Sequence, residues 1–192
     1  MVFHDSLRVG DAITRVSRIT DVSYKVGTSG HLVFVKLRHE ISNGRGLAIA
    51  EDQDIVYRDN PAAGASVPSP QNAPEHATWT QNVDPDPVLL FRYSALIFVG
   101  HRIHYDRRYV REVEGYPGLV VHGPLVASLL LELLKRNIPA ATIASFSFRA
   151  IKPLFDTAPF KINGRMEDAK TVKLWATSPE GWLAMDASAT LT

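Results

Sequence analysis

Three histidines and a glycine near the middle of the chain are the residue types that acid–base chemistry needs. His101 and His104 lie in the polar string HRIH, and His122 and Gly123 open the string HGP. Imidazole changes its protonation near neutral pH, so it can take a proton from water or return one. A helix entered through Gly123-Pro124 would leave unpaired N–H groups at its positive end, which favour developing negative charge on a group such as a thioester carbonyl. An ordinary capped helix entry is the alternative.

The same three histidines allow a metal site as an alternative. His101 and His104 are only three apart in a turn, and no acidic residue has obvious ligand spacing, so we expect no metal and no cofactor. The chain has no cysteine, which excludes disulfides, thiol nucleophiles and cysteine-ligated metals. A formal net charge of +1 provides no global field for nucleic acid, so an anionic ligand needs a local cluster of cations.

The hydropathy pattern bears on location. No apolar run reaches the roughly 18 residues that a membrane-spanning helix needs. The first residues, MVFHDSLRVGD, lack the apolar core of a signal peptide. We expect no membrane association and a cytoplasmic location.

One long helix must present Gly123 to the site. It is predicted from Pro124 to Leu134 and is apolar on almost every face, except around Ser128, Glu132 and Lys135. Proline suits the first helical position, because its missing N–H would have had no partner there. A helix of this composition must be wrapped by other elements.

Alternating apolar and polar residues predict antiparallel strands on both sides of this helix. The predicted strands cover residues 12–22, 32–41 and 47–57 before it, and 143–152, 160–166, 171–177 and 182–191 after it. Charged residues fall largely on one side of the first three strands, which is typical of a sheet with one solvated face. Residues 75–83 and 87–92 are compatible with strand or short helix.

Residues 59–74, DNPAAGASVPSPQNAP, are dense in Pro, Ala, Gly and Ser and are predicted to be a linker. It divides the chain into residues 1–58 and residues 75–192. The fold class is α+β, and a sheet curled around one apolar helix is the hot-dog architecture in outline.

The string FRYSALIFVGHRIHYDRRYVREVEGYPGLVVHGPLVASLL resembles the MaoC-like hydratases and dehydratases with a double hot-dog fold. This branch includes mesaconyl-C4-CoA and itaconyl-CoA hydratases and the mitochondrial type 2 thioester dehydratase. LRVGDAITRVSRITDV and EDQDIVYRD resemble its N-terminal module. The resemblance implies a truncated N-terminal hot-dog module over residues 1–58 and a catalytic-type hot-dog domain over residues 75–192.

The resemblance also implies roles for the central residues. His104 would be the catalytic base or acid, and the backbone N–H of Gly123 would polarise the thioester carbonyl. Val99 occupies the position where this branch generally has asparagine and bacterial relatives aspartate, and valine cannot hydrogen-bond a water. We therefore expect His101 to orient the water in its place.

The substrate would be an acyl-CoA or acyl-carrier-protein thioester. Its acyl pocket would be lined by Tyr93, Ser94, Tyr105 and Tyr109, and His122 would also bind the substrate, although the aromatics and the hydroxyl suit a core equally well. Its phosphates would be held by Arg149 and Lys152. Alternative cations are Arg102, Arg107, Arg108 and Arg111, which a solvated helix or loop would also show.

The expected activity is that of a lyase, a hydratase or dehydratase that adds water to an enoyl thioester or removes it from a 3-hydroxyacyl thioester. Mesaconyl-CoA and itaconyl-CoA are the favoured substrates, and a homodimer is the expected assembly. The alternative is a non-catalytic acyl-CoA-binding hot-dog protein or a supporting subunit, which Val99 favours. A hot-dog thioesterase is disfavoured, because no carboxylate lies at the expected place near the helix start.

Overall fold

The computed structural model describes residues 1–27, 30–58 and 69–192, which form two compact units, residues 1–69 and 70–192. Most of the predicted linker, residues 59–68, lies outside the described residues. Gln71 and Asn72 at its end already pair with the second unit, at Leu183 and Trp182. Within the described ranges, no helix is long and apolar enough to cross a bilayer.

The first unit is an antiparallel sheet of four strands. Their bounds are β1 Val2–Phe3, β2 Thr14–Gly27, β3 Gly30–Asn43 and β4 Gly46–Arg58. They lie in the order β2-β3-β4-β1, and each of the three long strands exceeds its predicted length. A bulge between Ile19 and Asp21 shifts the register of β2 against β3.

The two faces of this sheet differ in chemistry. Alternation along the strands and the pairing register assign the side chains to faces. One face carries Ile19, Val22, Tyr24, Val35, Leu37 and Ile55, and the other carries Arg18, Lys36, Arg38, Glu40, Asp52 and Asp54. Ion pairs cross the charged face from Arg18 to Glu40 and from Arg38 to Asp52. The predicted segregation of charge is present, but Arg15 and Glu51 lie on the apolar face.

The second unit combines a five-stranded antiparallel sheet with three α-helices. The elements are β5 Trp79–Val83, α1 Pro87–Leu96, α2 Arg107–Glu112, α3 Gly123–Asn137, β6 Ile143–Ala150, β7 Phe160–Met166, β8 Thr171–Thr177 and β9 Leu183–Leu191. The strand order is β6-β9-β8-β7-β5. The two segments of open type are therefore a strand and a helix, and the strands predicted at 143–152 and 182–191 are slightly shorter.

Helix α3 lies against β5, β7, β8 and β9 and fills the middle of this unit. Leu130 and Leu134 of the helix are fully buried, together with Phe146, Trp175 and other large side chains of the sheet. Pro124, Ser128, Glu132 and Lys135 form the exposed stripe, spaced three or four residues apart, and Arg136 and Asn137 are exposed at the end of the helix. The apolar sides of the helix are turned away from solvent, as its composition predicts.

Candidate active site

Helix α1 places Ser94 in the interior of the second unit, with the half-buried Tyr93 next to it. Asp86 caps the helix, because its carboxylate accepts the N–H groups of Val88 and Leu89 at 2.7 and 3.1 Å. Ser94 faces inward and is 4% exposed. This helix is the first of three elements that meet at the central histidines.

The HRIH string is the second element, and it forms a single 3₁₀ turn over Arg102–His104. Tyr105 closes the loop around it, since its hydroxyl donates to the carbonyl of Gly100 at 2.9 Å. Helix α2 follows at once, capped by Asp106, whose carboxylate accepts the N–H of Tyr109. His104 is thereby held at the end of a short rigid turn.

The extended segment 118–121 fixes the orientation of His104. The N–H of Val120 donates to the carbonyl of Ile103 at 2.9 Å, and the carbonyl of Val120 accepts from Nδ1 of His104 at 2.7 Å. A carbonyl can only accept, so Nδ1 carries the proton in the neutral ring and Nε2 has the free lone pair. Nε2 is therefore the nitrogen of His104 that can act as a base.

Asp156 supports this segment from the other side. Its side chain is fully buried, contacts the guanidinium of Arg107 and accepts the N–H of Leu119 at 2.8 Å. The N–H of Asp156 donates to the carbonyl of Leu119, and the N–H of Val121 donates to the carbonyl of Leu154. Asp156 lies between the predicted strands at 143–152 and 160–166, and no signal in the sequence distinguishes a buried aspartate from an exposed one in such a connection.

His122 brings the third element, the start of α3, against His104. The two imidazole rings stack with 3.7 Å between centroids and 17° between planes. Nε2 of His122 lies 2.8 Å from Oγ of Ser94, and Tyr93 meets the ring edge-on at 4.9 Å. The predicted residues Tyr93, Ser94, His104 and His122 therefore form one cluster, which we call the histidine stack.

Gly123 follows His122 directly, and its N–H is an open donor beside the histidine stack. In residues 1–27, 30–58 and 69–192, the N–H groups of Gly123 and Leu125 have no hydrogen-bond acceptor. The first helical bond at this end runs from Val126 to the carbonyl of His122 at 3.1 Å. The beginning of α3 thus offers unpaired donors and the positive end of a helix dipole.

Burial controls the protonation of the two stacked rings. Burial first, and the nearby His104 to a smaller extent, lower the pKa of His122 from its ordinary value of 6.5 to about 4. Burial also lowers the pKa of His104, with a smaller lowering from His101, while the bond to Val120 opposes them. Both rings are therefore neutral at pH 7, as a base and its neighbour must be.

The other predicted site residues lie at the margin of this cluster. His101 is exposed, and its ring meets that of His104 edge-on at 5.7 Å. Val99 is half-buried after α1 and donates its N–H to the carbonyl of Ser94 at 3.0 Å. Arg149 and Lys152 are exposed, on and just after β6.

Three of the four alternative arginines are already in ion pairs. Arg102 pairs with Asp106, Arg107 with Asp156 and Arg108 with Glu112. Arg111 has no ion-pair partner among the residues that the structure describes. These pairs leave Arg111, Arg149 and Lys152 as the more available cations for an anionic ligand.

Neither metal ligation nor the surface cavity beside Asn82 and Lys161 explains the histidine stack. In the described part of the chain, no three His, Cys, Asp or Glu residues are arranged to hold a metal ion. An open cavity of about 400 Å³ occurs elsewhere in the second unit and contains none of the predicted site residues. It is lined by Asn82, Asp84, Pro159, Lys161, Thr177, Ser178, Pro179 and Gly181.

Comparison with known proteins places the chain in a family. The family model for hydroxyacyl-thioester dehydratase type 2 matches residues 1–156. The chain belongs to this family. It is 47% identical over 192 residues to the mesaconyl-C(4)-CoA hydratase of Chloroflexus aurantiacus, an alignment that covers 98% of this chain and 67% of that protein. The family resemblance of the central motif is confirmed.

Solved structures agree on the fold of this type 2 dehydratase family member. The peroxisomal multifunctional enzyme type 2 of Drosophila melanogaster matches with a TM-score of 0.78 at 16% identity, over 100% of this chain and 36% of that one. A Mycobacterium tuberculosis protein with a double hot-dog fold matches with a TM-score of 0.63 at 16% identity, over 100% and 73% of the two chains. These likenesses confirm the hot-dog fold expected from the sequence.

Proposed function

We propose that the chain is a hydro-lyase that adds water reversibly across the α,β double bond of an enoyl thioester. The observation that carries this proposal is the bond from Nδ1 of His104 to Val120, which leaves Nε2 as a neutral base beside the open start of α3. Base and oxyanion donor are the two groups that hydration requires. Membership in the type 2 dehydratase family supports the same activity.

In the proposed reaction, Nε2 of His104 takes a proton from water while the water oxygen bonds the β-carbon. The electrons of the double bond move toward the thioester oxygen, which accepts the N–H of Gly123. The imidazolium then returns a proton to the α-carbon, so the atoms of one water are added in total. His101, edge-on to His104 and exposed, would orient the attacking water where Val99 offers no polar group.

The substrate proposal is a short branched dicarboxylic acyl group carried on CoA or acyl-carrier protein. It is supported by the 47% identity to a mesaconyl-C(4)-CoA hydratase. Arg149 and Lys152 would bind phosphates of the carrier, and Tyr105 would border the acyl group. A homodimer belongs to the same proposal, since hot-dog sheets bury their edges against one another. A cytoplasmic location is also part of it.

The alternative of a non-catalytic acyl-CoA-binding protein or a supporting subunit is not favoured. Val99 is the residue that suggests it, but the matching family and relative carry the names of a dehydratase and a hydratase. The loss of one carboxamide also leaves His104 and Gly123 in place.

Spectroscopic turnover of mesaconyl-CoA and crotonyl-CoA by the purified chain tests the activity. We expect hydration by the native protein and a loss of at least about a hundredfold in His104→Gln, the size of a general-base contribution. His4→Ala removes an exposed histidine that is distant from His104 in the sequence, and it serves as the control. A native protein that hydrates neither thioester, or a His104→Gln variant as active as wild type, contradicts the proposal.

A further inference from the structure

Ser94 and His122 are too deeply buried to line the acyl group directly. Ser94 is 4% exposed and His122 is 2% exposed, and their side chains meet at 2.8 Å. His122 is among the largest fully buried side chains of the second unit. A role for this buried pair must therefore pass through a neighbouring residue.

The hydroxyl of Ser94 fixes the proton position on His122. Within the described ranges, Oγ of Ser94 has His122 as its hydrogen-bond partner and makes no bond to a helix carbonyl, unlike Ser128, which donates to Pro124. A buried hydroxyl hydrogen needs an acceptor, and Nε2 of His122 can accept only when it is unprotonated. His122 is then the neutral tautomer with its proton on Nδ1, the buried atom that has no partner in the described structure.

The neutral ring of His122 is the surface on which His104 rests. Tyr93 contacts one side of His122 edge-on, and His104 stacks on its face at 3.7 Å. The hydrogen bond to the carbonyl of Val120 thus restrains the His104 ring within its own plane, and the stacked ring of His122 restrains its movement out of that plane. These two restraints leave the ring of His104 little freedom to rotate.

We propose that Ser94 and His122 are positioning residues that act through His104. Ser94 holds His122 as a neutral imidazole, and the face of that imidazole orients His104 and stabilises the imidazolium that forms when His104 takes a proton from water. This role rests on the proposed hydration, and it replaces the direct contact with substrate expected for both residues.

The stabilisation follows from the charge distribution of a neutral aromatic ring. A cation near the face of such a ring is attracted to its electrons, whereas a protonated His122 would repel a protonated His104. The titratable groups that face His104 are His101 from its own turn and His122 from α3, and Tyr93 of α1 faces His122. Burial and the nearby His104 together keep the pKa of His122 at about 4, so this ring stays neutral when His104 is charged.

A double-mutant cycle on hydration kinetics tests the proposal. His122→Ala removes the ring and should lower kcat roughly tenfold, the size of a desolvated cation–π contact, with KM changed less than about twofold. His122→Phe keeps a ring face and should stay within about threefold of wild type. Ser94→Ala should lower kcat in the native background and have no further effect in His122→Phe, because Ser94 acts through the imidazole.

Ser128→Ala is the matched control, since it removes an exposed helix serine from α3. A tenfold rise in KM with unchanged kcat in His122→Ala would show substrate contact and overturn the proposal. Equal losses from Ser94→Ala in both backgrounds would overturn it as well. So would a His122→Phe variant that folds yet is as impaired as His122→Ala.

Nitrogen NMR of the His104 ring gives a readout that does not need turnover, because the nitrogen shifts report which ring nitrogen carries the proton. In His122→Ala the neutral ring of His104 should lose its single Nδ1–H tautomer, since the ring face that holds it against the carbonyl of Val120 is gone, and the shifts should move toward those of a mixture of tautomers. Unchanged nitrogen shifts refute the positioning role. If the wild-type protein shows no hydration but this shift occurs, the proposed activity fails while the positioning of His104 by His122 stands.

Discussion

The imidazoles of His104 and His122 lie face to face, 3.7 Å apart, although 17 residues separate them in the chain. The contact joins the 3₁₀ turn Arg102–His104 to the first residue before α3. It brings a neutral base next to the open N–H of Gly123. The chemistry proposed for this protein depends on that proximity.

The pH dependence of stability should carry the signature of His122. Its folded pKa of about 4 is below the ordinary 6.5, so the unfolded chain binds this proton first as pH falls. The contribution of the neutral His122 ring to stability is then fully present above about pH 6.5. The free energy of unfolding falls by roughly 1.4 kcal/mol per pH unit from there down to about pH 4. Urea unfolding at several pH values should show a shallower loss in His122→Phe; parallel losses in the two proteins would contradict this burial effect.

Gly123→Ala should separate function from stability. The added methyl would lie 3.9 Å from Cε of Met185, an ordinary contact, so the melting temperature should stay near that of wild type. The methyl would hinder close approach of the thioester oxygen to the backbone, and kcat/KM should fall about a hundredfold, as when one oxyanion donor is lost. Full activity in a folded Gly123→Ala protein would show that the N–H of Gly123 does not bind the thioester oxygen.

Gly118→Ala is the informative contrast. Its methyl would come within 2.5 Å of Oδ1 of Asp156 and 2.8 Å of Cγ2 of Thr157, so the segment that supports His104 must shift. Here we expect a lower melting temperature together with lower activity. Thermal unfolding of both glycine variants distinguishes a blocked site from a disturbed scaffold.

The predictability of these elements from sequence varies for physical reasons. Gly123-Pro124 and the leucine-rich run after it mark α3 because proline position and apolar composition are local properties. The strands at Phe160–Met166 and Thr171–Thr177 match their predicted bounds, since alternation and flanking turns are local as well. Asp86 and Asp106 are helix caps that sequence reasoning could have used to assign α1 and α2.

The geometry of the site was less predictable. The burial of Asp156 depends on Arg107, which lies 49 positions earlier, and on the backbone of Leu119. The motif predicts catalytic roles for His104 and Gly123. The stacking of His122 and its bond to Ser94 arise only when α1 and α3 pack together, so the motif does not predict them. Long-range contacts of this kind leave no periodic pattern in the sequence.

Asp156→Ala should destabilise the second unit. Removal of the buried carboxylate leaves the N–H of Leu119 without its acceptor and should lower the free energy of unfolding by about 1–3 kcal/mol. Arg108→Ala breaks the exposed pair with Glu112 and should change it by less than about 1 kcal/mol. Chemical denaturation measures both, and equal effects would mean that Asp156 does not support the segment.

His101→Ala tests how the protein manages without a polar side chain at Val99. If His101 orients the water, its loss should reduce hydration about tenfold or more, as a misplaced reactant does. Val99→Asn in the His101→Ala background should recover part of the rate, because the carboxamide can bind the water instead. The orientation role is wrong if His101→Ala hydrates at the wild-type rate while His104→Gln is inactive.

A crystal structure with butyryl-CoA, a saturated thioester that cannot be hydrated, measures the central claim most directly. We predict the thioester oxygen about 3 Å from the N of Gly123, with Nε2 of His104 facing the β-carbon at a distance that admits one water. An acyl group bound elsewhere, for example in the cavity lined by Asn82 and Lys161, would contradict the account.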